Sequence, residues 1–283
     1  MNIIWKYNPN GTIGEGVFMQ LVNKTMRNIN MALLVLAFPL ISVAQSHATS
    51  QDVHEIIDIC TSSERIMKDY ALIGMKVTYH NPQKDLEETI KRLDEDMELL
   101  EKHHLAESLH EEEVALHKLW AEIEHNLTQT PNKENALELK HKVDAFAQKC
   151  EEVAEDLAKD TGNKAEHDVV LIARLNLDVQ KLAGDYVMKA WDAISDDEYY
   201  KGVKEIKEDY EKTFEELENA DDKLVSPKIK KHLKVVDKHF MMFEFMAESR
   251  SGRFVPQLIA KKANKINEET EKLLEEEEQE QEK

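Results

Sequence analysis

The chain has 283 residues and a formal net charge of −20, with a third of its residues charged, eight Gly, six Pro and two Cys. Such acidity argues against nucleic acid or anionic lipid as partner, because the phosphate term is repulsive. Cysteines as far apart as Cys60 and Cys150 exclude a thiolate metal cluster, and the Ala/Glu/Lys/Leu-rich composition belongs to long helices.

Arg27 precedes an apolar run, Met31–Ile41, and Ser42-Val43-Ala44 places small residues where a signal peptidase cuts; Ser46-His47-Ala48 offers a second cut. The run is too short to span a bilayer. Residues 1–48 are therefore expected to be a signal peptide, with Met26 as an alternative start and an uncleaved anchor as the rival reading. A periplasmic location follows from this expectation. No later stretch is apolar enough to cross a membrane.

Apolar residues then recur at alternating steps of three and four, the seam of a helix packed in a bundle. The first helix, about 52–79, carries Ile56, Ile59, Ser63, Ile66, Tyr70, Ile73 and Val77, and Asn81-Pro82 ends it. The second, about 83–103, carries Leu86, Ile90, Leu93, Met97 and Leu100. Ser108 and Glu111 form a capping box for a third helix, with Leu109, Leu116, Trp120, Ile123 and Leu127 on its seam. Thr130-Pro131 precedes the fourth, about 132–161, with Leu139, Val143, Phe146, Cys150, Val153 and Leu157.

The order repeats after Thr161-Gly162-Asn163. Ile172, Leu175, Val179, Leu182 and Tyr186 form a helix whose Asp185-Tyr186 echoes Asp69-Tyr70. The next two carry Val203, Ile206, Tyr210, Phe214 and Leu217, then Ile229, Leu233, Val236, Phe240 and Phe243. Pro256 answers Pro131 and opens a last helix through Ile259, Ala263, Ile266 and Leu273. The fold class is all-α: two tandem up-down-up-down four-helix bundle modules, residues 49–162 and 163–275, with an acidic frayed tail at 276–283. If the fourth helix runs almost directly into the fifth, the modules form an elongated rod.

Ser63-Glu64-Arg65-Ile66-Met67-Lys68-Asp69-Tyr70, followed by an apolar run, resembles the signature helix of the PilJ-type sensory domain. That domain is the periplasmic N-terminal part of type IV pilus methyl-accepting chemotaxis transducers and is related to the sensing domain of nitrate/nitrite sensor kinases. Leu175–Tyr186 resembles the same signature more loosely, and Leu116-x-x-x-Trp120-x-x-Ile123 resembles its third helix. Two departures stand out: the paired Ser-Gln of the signature is absent from the first copy, and no transmembrane or signalling region follows. The resemblance implies sensing or ligand binding, with any signal passed to a separate, membrane-bound partner.

It also implies a site on the two signature helices: Arg65, Asp69 and Tyr70 on one, Lys181, Asp185 and Tyr186 on the other. Their cations would bind a small anionic ligand or line a homodimer interface. The bland alternative is a pair of surface i,i+4 ion pairs worth ~0.3–0.5 kcal/mol each.

Catalytic constellations are missing: there is no phosphate loop, no G-x-S-x-G and no H-E-x-x-H, so neither enzymatic activity nor a cofactor is expected. Glu-x-x-His recurs at Glu101/His104, Glu107/His110, Glu122/His125 and Glu138/His141. That is the spacing of di-iron bundles, but none of these residues lies on a seam and a solvated face is the expectation. Met241-Met242-Phe243-Glu244-Phe245-Met246 reads as core packing. Cys60 and Cys150 fall at similar heights on antiparallel neighbours and are a candidate disulfide. The leading expectation is a soluble periplasmic sensory or ligand-binding protein. A structural or adaptor bundle without a small ligand is the alternative, and a metal-carrying bundle is a weaker third reading.

Overall fold

A computed structural model describes residues 48–78, 80–103 and 109–281. Residues 1–47 of the expected signal peptide (1–48), and Ser108 with its expected capping box, lie outside the described residues. The described residues form eight helices and no strand. These are α1 (Ser50–Gly74), α2 (Pro82–His103), α3 (His110–Leu127), α4 (Lys133–Asp160), α5 (Lys164–Ala190), α6 (Asp196–Asn219), α7 (Pro227–Ala247) and α8 (Pro256–Gln281).

Local chemistry sets the helix ends. Thr49 and Asp52 form a reciprocal capping box on α1, and Asn132, Ser195 and Ser226 each accept from a backbone N–H of the first turn of α4, α6 and α7. α1 stops five residues before the expected end. Lys76 adopts φ 59° and the Val77 N–H donates to the Leu72 carbonyl, which closes the helix before Pro82 is reached. The end of α5 repeats this cap, with Asp192 at φ 60° and Ala193 N–H donating to Met188. At the other end of the chain α8 continues through the acidic segment to Gln281, with Leu273 and Glu277 buried, so the tail expected to fray from residue 276 is helical.

Each helix packs on the next in the chain, and α1 also packs on α4 and α5 on α8; we term α1–α4 the first quartet and α5–α8 the second. The chain reverses at Thr161-Gly162-Asn163, where Gly162 takes φ 68°. Arg174 then reaches back to Glu151 at 2.8 Å and Glu155 at 2.5 Å. The end-to-end rod is thereby corrected: α5 folds back along α4 instead of extending it. The most extensive packing is between α1 and α5, which lie parallel. Ser50 donates to Glu166 at 2.6 Å at one end, Gly184 meets Met67 midway, and Trp191 covers Gly74 at the other end. A Cβ at Gly184 would stand 3.1 Å from Met67 Cβ, so glycine permits this approach.

Because α1 packs on α2, α4 and α5, and α5 on α1, α4, α6 and α8, both are enclosed on more than one face. Val169, Val170, Leu171, Ile172, Leu175 and Leu177 of α5 are all buried although they spread round the helix. The buried apolar residues of both quartets join in one core, and the described residues belong to one compact unit.

Candidate functional site

Burial of α1 and α5 forces any charged residue on them to find partners or lose its charge. Both outcomes are present. At the junction of α1, α4 and α5, Lys140 Nζ lies 2.7 Å from Asp144 and 3.1 Å from Asp185, and Lys181 stands 3.9 Å from Asp144. Burial opposes the charge on Lys140, but Asp185 and Asp144 outweigh it and hold the ammonium protonated well above its usual range. Glu64 enters the same cluster from α1. Burial, reinforced by Asp144 and only partly offset by Lys181, pushes its carboxyl up to about 8, so it is protonated at neutral pH. Burial also lifts Asp185 to about 6 against the pull of Lys140.

The cluster forms one end of a groove of about 520 Å³ between α4 and α6, with α5 as its floor. Glu151 of α4, Asp178 of α5 and Asp209 of α6 converge along it. Asp178 is 9 % exposed, and its Oδ2 has no hydrogen-bond partner among the described residues. Burial, together with the fields of Glu151 and Asp209, raises its pKa well above the carboxylate range. With Glu64 and Asp178 both counted as protonated, four carboxylates (Asp144, Glu151, Asp209 and Glu216) and three cations line the groove. Arg174, one of those cations, is already bound to Glu151 and Glu155. Positive charge added beside Asp178 would offset the fields of Glu151 and Asp209 and favour ionisation of its carboxyl.

Of the six residues expected on the signature helices, Lys181 alone lines this groove. Arg65 points to the other side of the α1–α5 pair, into a cleft of about 60 Å³ with Thr89 and Arg92 of α2. Asp69 lines another small cleft, against Lys261 and Asn264 of α8. Since α1 and α5 are parallel, corresponding positions face opposite flanks, and Arg65 and Lys181 cannot share a ligand. The i,i+4 pairing of Lys181 with Asp185 is replaced by Lys140 of α4. Tyr70 and Tyr186 serve the architecture. The Tyr70 hydroxyl accepts from Asn132 N–H at 3.3 Å before α4, and the Tyr186 hydroxyl accepts from Val255 N–H at 2.9 Å before α8. Trp191 lies edge-on to Tyr70 across the quartets, centroids 6.2 Å apart.

Cys60 and Cys150 are buried free thiols that face each other across α1 and α4 within hydrogen-bond reach, and burial, then Cys150, drives the Cys60 pKa well up. Among the described residues no three His, Cys, Asp or Glu side chains meet as a metal site. His110 is exposed beside Glu113, and His141 approaches Glu198 of α6 at 3.6 Å; His104 and Glu107 lie outside the described residues. The Met241–Met246 segment is only partly core: Phe243 is buried, whereas Met241, Met242 and Phe245 face outward.

Glu64, Glu151, Asp178 and Asp209 were not singled out from the sequence. The available signal was the apolar character of α5 round most of its circumference, which buries a carboxylate at position 178 whatever its phase. No helix among the described residues is long and apolar enough to cross a membrane. Compared with protein-family models, curated proteins and solved structures, the chain matches none.

Proposed function

We propose that this chain is a ligand-binding protein of the sensory kind, built from two copies of one four-helix module fused along α1 and α5. Its groove between α4, α5 and α6 takes a small organic cation. The observation that carries this reading is Asp178, a carboxyl that lines the groove and whose buried Oδ2 has no hydrogen-bond partner among the described residues. The volume falls in the range of small-molecule sites. An ammonium group entering between Glu151, Asp178 and Asp209 would relieve their mutual repulsion and draw the Asp178 pKa back down. α4 belongs to the first quartet and α6 to the second, so such a ligand ties one module to the other. A change in their spacing is the natural signal to a separate, membrane-bound partner.

The resemblance of residues 63–70 to the PilJ-type signature helix supports the sensory class, and Met31–Ala44 supports a periplasmic location. The ligand's charge is where our reading leaves that resemblance, because Lys181 is engaged with carboxylates and Arg65 lies in a separate cleft.

Titration calorimetry and thermal shift with putrescine, spermidine and nitrate test the proposal. Putrescine or spermidine should bind and raise the melting temperature. Asp178→Asn, which keeps the shape but cannot ionise when an ammonium enters, should weaken binding roughly 10–100-fold, the equivalent of a charged hydrogen bond. Nitrate should do nothing. Absence of amine binding at millimolar concentration, or equal affinity in Asp178→Asn, would sink the reading.

A further inference from the structure

We propose that the outer face of α7, with the turn into α8, docks on an anionic membrane surface. Between Lys228 and Phe245 every exposed residue of α7 is either lysine or apolar: Lys228, Lys231, Lys234, Val235, Lys238, Met241, Met242 and Phe245. The lysines lead and the apolar side chains gather at the far end, where Phe245 is 77 % exposed and Met241 60 %. Val255 and Leu258, at the start of α8, extend the exposed apolar set. Arg250 and Arg253 sit in the turn between them, with Arg250 over the Tyr200 ring.

The charge of this region opposes that of the chain. Residues 226–265 contain ten Lys and Arg against three Asp and Glu, a net +7 within a chain of −20. Two of the three carboxylates, Glu244 and Glu248, are held by Lys207 of α6. Lys238, Lys262 and Lys265 gather round His239, and burial together with their field lowers its pKa. Lys228 and Lys234 reach Glu276 and Glu218 on the neighbouring helices. Lys231 and Lys238 form no ion pair among the described residues.

The repulsion inferred from the whole-chain charge does not govern this face. At physiological salt a charge is screened beyond about 8 Å, so a headgroup touching α7 meets the local lysines and not the distant acids. The apolar residues here are convex, on the outermost side of a helix. A protein partner must supply a matching groove for each, whereas a bilayer deforms round them. Lysines flanking exposed Phe, Met and Val are the composition of an interfacial helix.

Flotation of the full chain with vesicles decides it. Vesicles of phosphatidylglycerol mixed with phosphatidylcholine should carry the protein, and pure phosphatidylcholine should carry at least tenfold less. Raised salt should release it. Phe245→Ser with Met241→Ser, and separately Lys231→Glu with Lys238→Glu, should each cut binding about tenfold while leaving the helical circular dichroism and melting temperature unchanged. Lys91→Glu, an exposed change on α2, should bind like the parent. No flotation with the anionic vesicles, or flotation equal in all variants, overturns the proposal. So does lipid-free self-association, measured by light scattering and abolished by the same substitutions, which would assign the face to a second copy of the chain.

Discussion

At corresponding heights in the two quartets, the first and fourth helices meet through different chemistry. Cys60 of α1 faces Cys150 of α4. In the second quartet Asn176 of α5 donates to Asn267 of α8 at 2.7 Å. Gln180 extends that contact to Asn176 and to the Ala263 carbonyl, and Asn267 donates onward to Glu271 at 2.8 Å. Thiols pack as small hydrophobes and tolerate some slip. Buried amides hold one register and are costly when a partner is lost. One helix plan thus admits two ways of pinning its first helix to its last: one packs apolar surface, the other enforces alignment.

Cutting the chain at Thr161–Asn163 should have the largest effect on this comparison. Either half alone leaves the α1–α5 interface in water, so each is expected to lose its cooperative melt, and mixing the halves should restore one transition by circular dichroism. Two separate cooperative melts near the parental midpoint would mean that the shared core contributes little. Joining the thiols comes next. Treatment with oxidised glutathione should form a Cys60–Cys150 bond, read as loss of both free thiols under denaturing conditions. On the chain-entropy model it would stabilise the first quartet by up to ~4–5 kcal/mol. Two free thiols after that treatment would show that the helices hold the sulfurs apart.

Substitution sharpens the contrast. Asn267→Ala strands the Asn176 amide and is expected to cost roughly 1–3 kcal/mol in urea denaturation. Cys150→Ala should cost about 1 kcal/mol. Asn176→Cys combined with Asn267→Cys transplants the first quartet's solution and should recover most of the loss under reducing conditions. If the double variant is worse than Asn267→Ala, the two interfaces are not interchangeable.

Acidity probes the junction between the quartets. The folded state keeps a proton on Glu64 up to about 8, against an ordinary value of 4.5, and on Asp185 up to about 6, against 3.8. The unfolded chain releases both earlier, so stability should fall as pH rises from about 4 to about 8. Glu64→Gln should flatten the upper part of that slope, between about 6 and 8. A melting temperature that climbs over this range would contradict the protonated Glu64. The smallest effect tests the likeness of the quartets: Tyr70→Phe and Tyr186→Phe each remove one hydrogen bond to a loop N–H and should cost about 1 kcal/mol apiece. Unequal losses would mean that the two turns are not held alike.

The eight helices and their repeat were legible in the amino-acid sequence because a seam at steps of three and four is a local pattern, readable without knowing what covers it. Leu139, Val143, Phe146, Cys150, Val153 and Leu157 are all buried along one face of α4, as their spacing required. Asp185-Tyr186 repeats the place of Asp69-Tyr70, and both tyrosines hold the loop before the last helix of their quartet. What covers α1 and α5 was not local. The second apolar stripe of α5, with Val170, Leu171 and Leu177, makes sense only once α1 lies alongside and α4 folds back. The same packing buries Glu64 and Asp178, turning ordinary helix-surface residues into carboxyls that prefer their protons. It also sends Arg65 and Lys181 to opposite flanks, although their sequence positions correspond. On α7 the opposite happened: Met241, Met242 and Phe245 read as core, but a helix with only one covered face had no neighbour left for them. Periodicity reports that a face is apolar. Only the tertiary arrangement decides how many faces are covered, and hence which charges are desolvated and which hydrophobes stay in water.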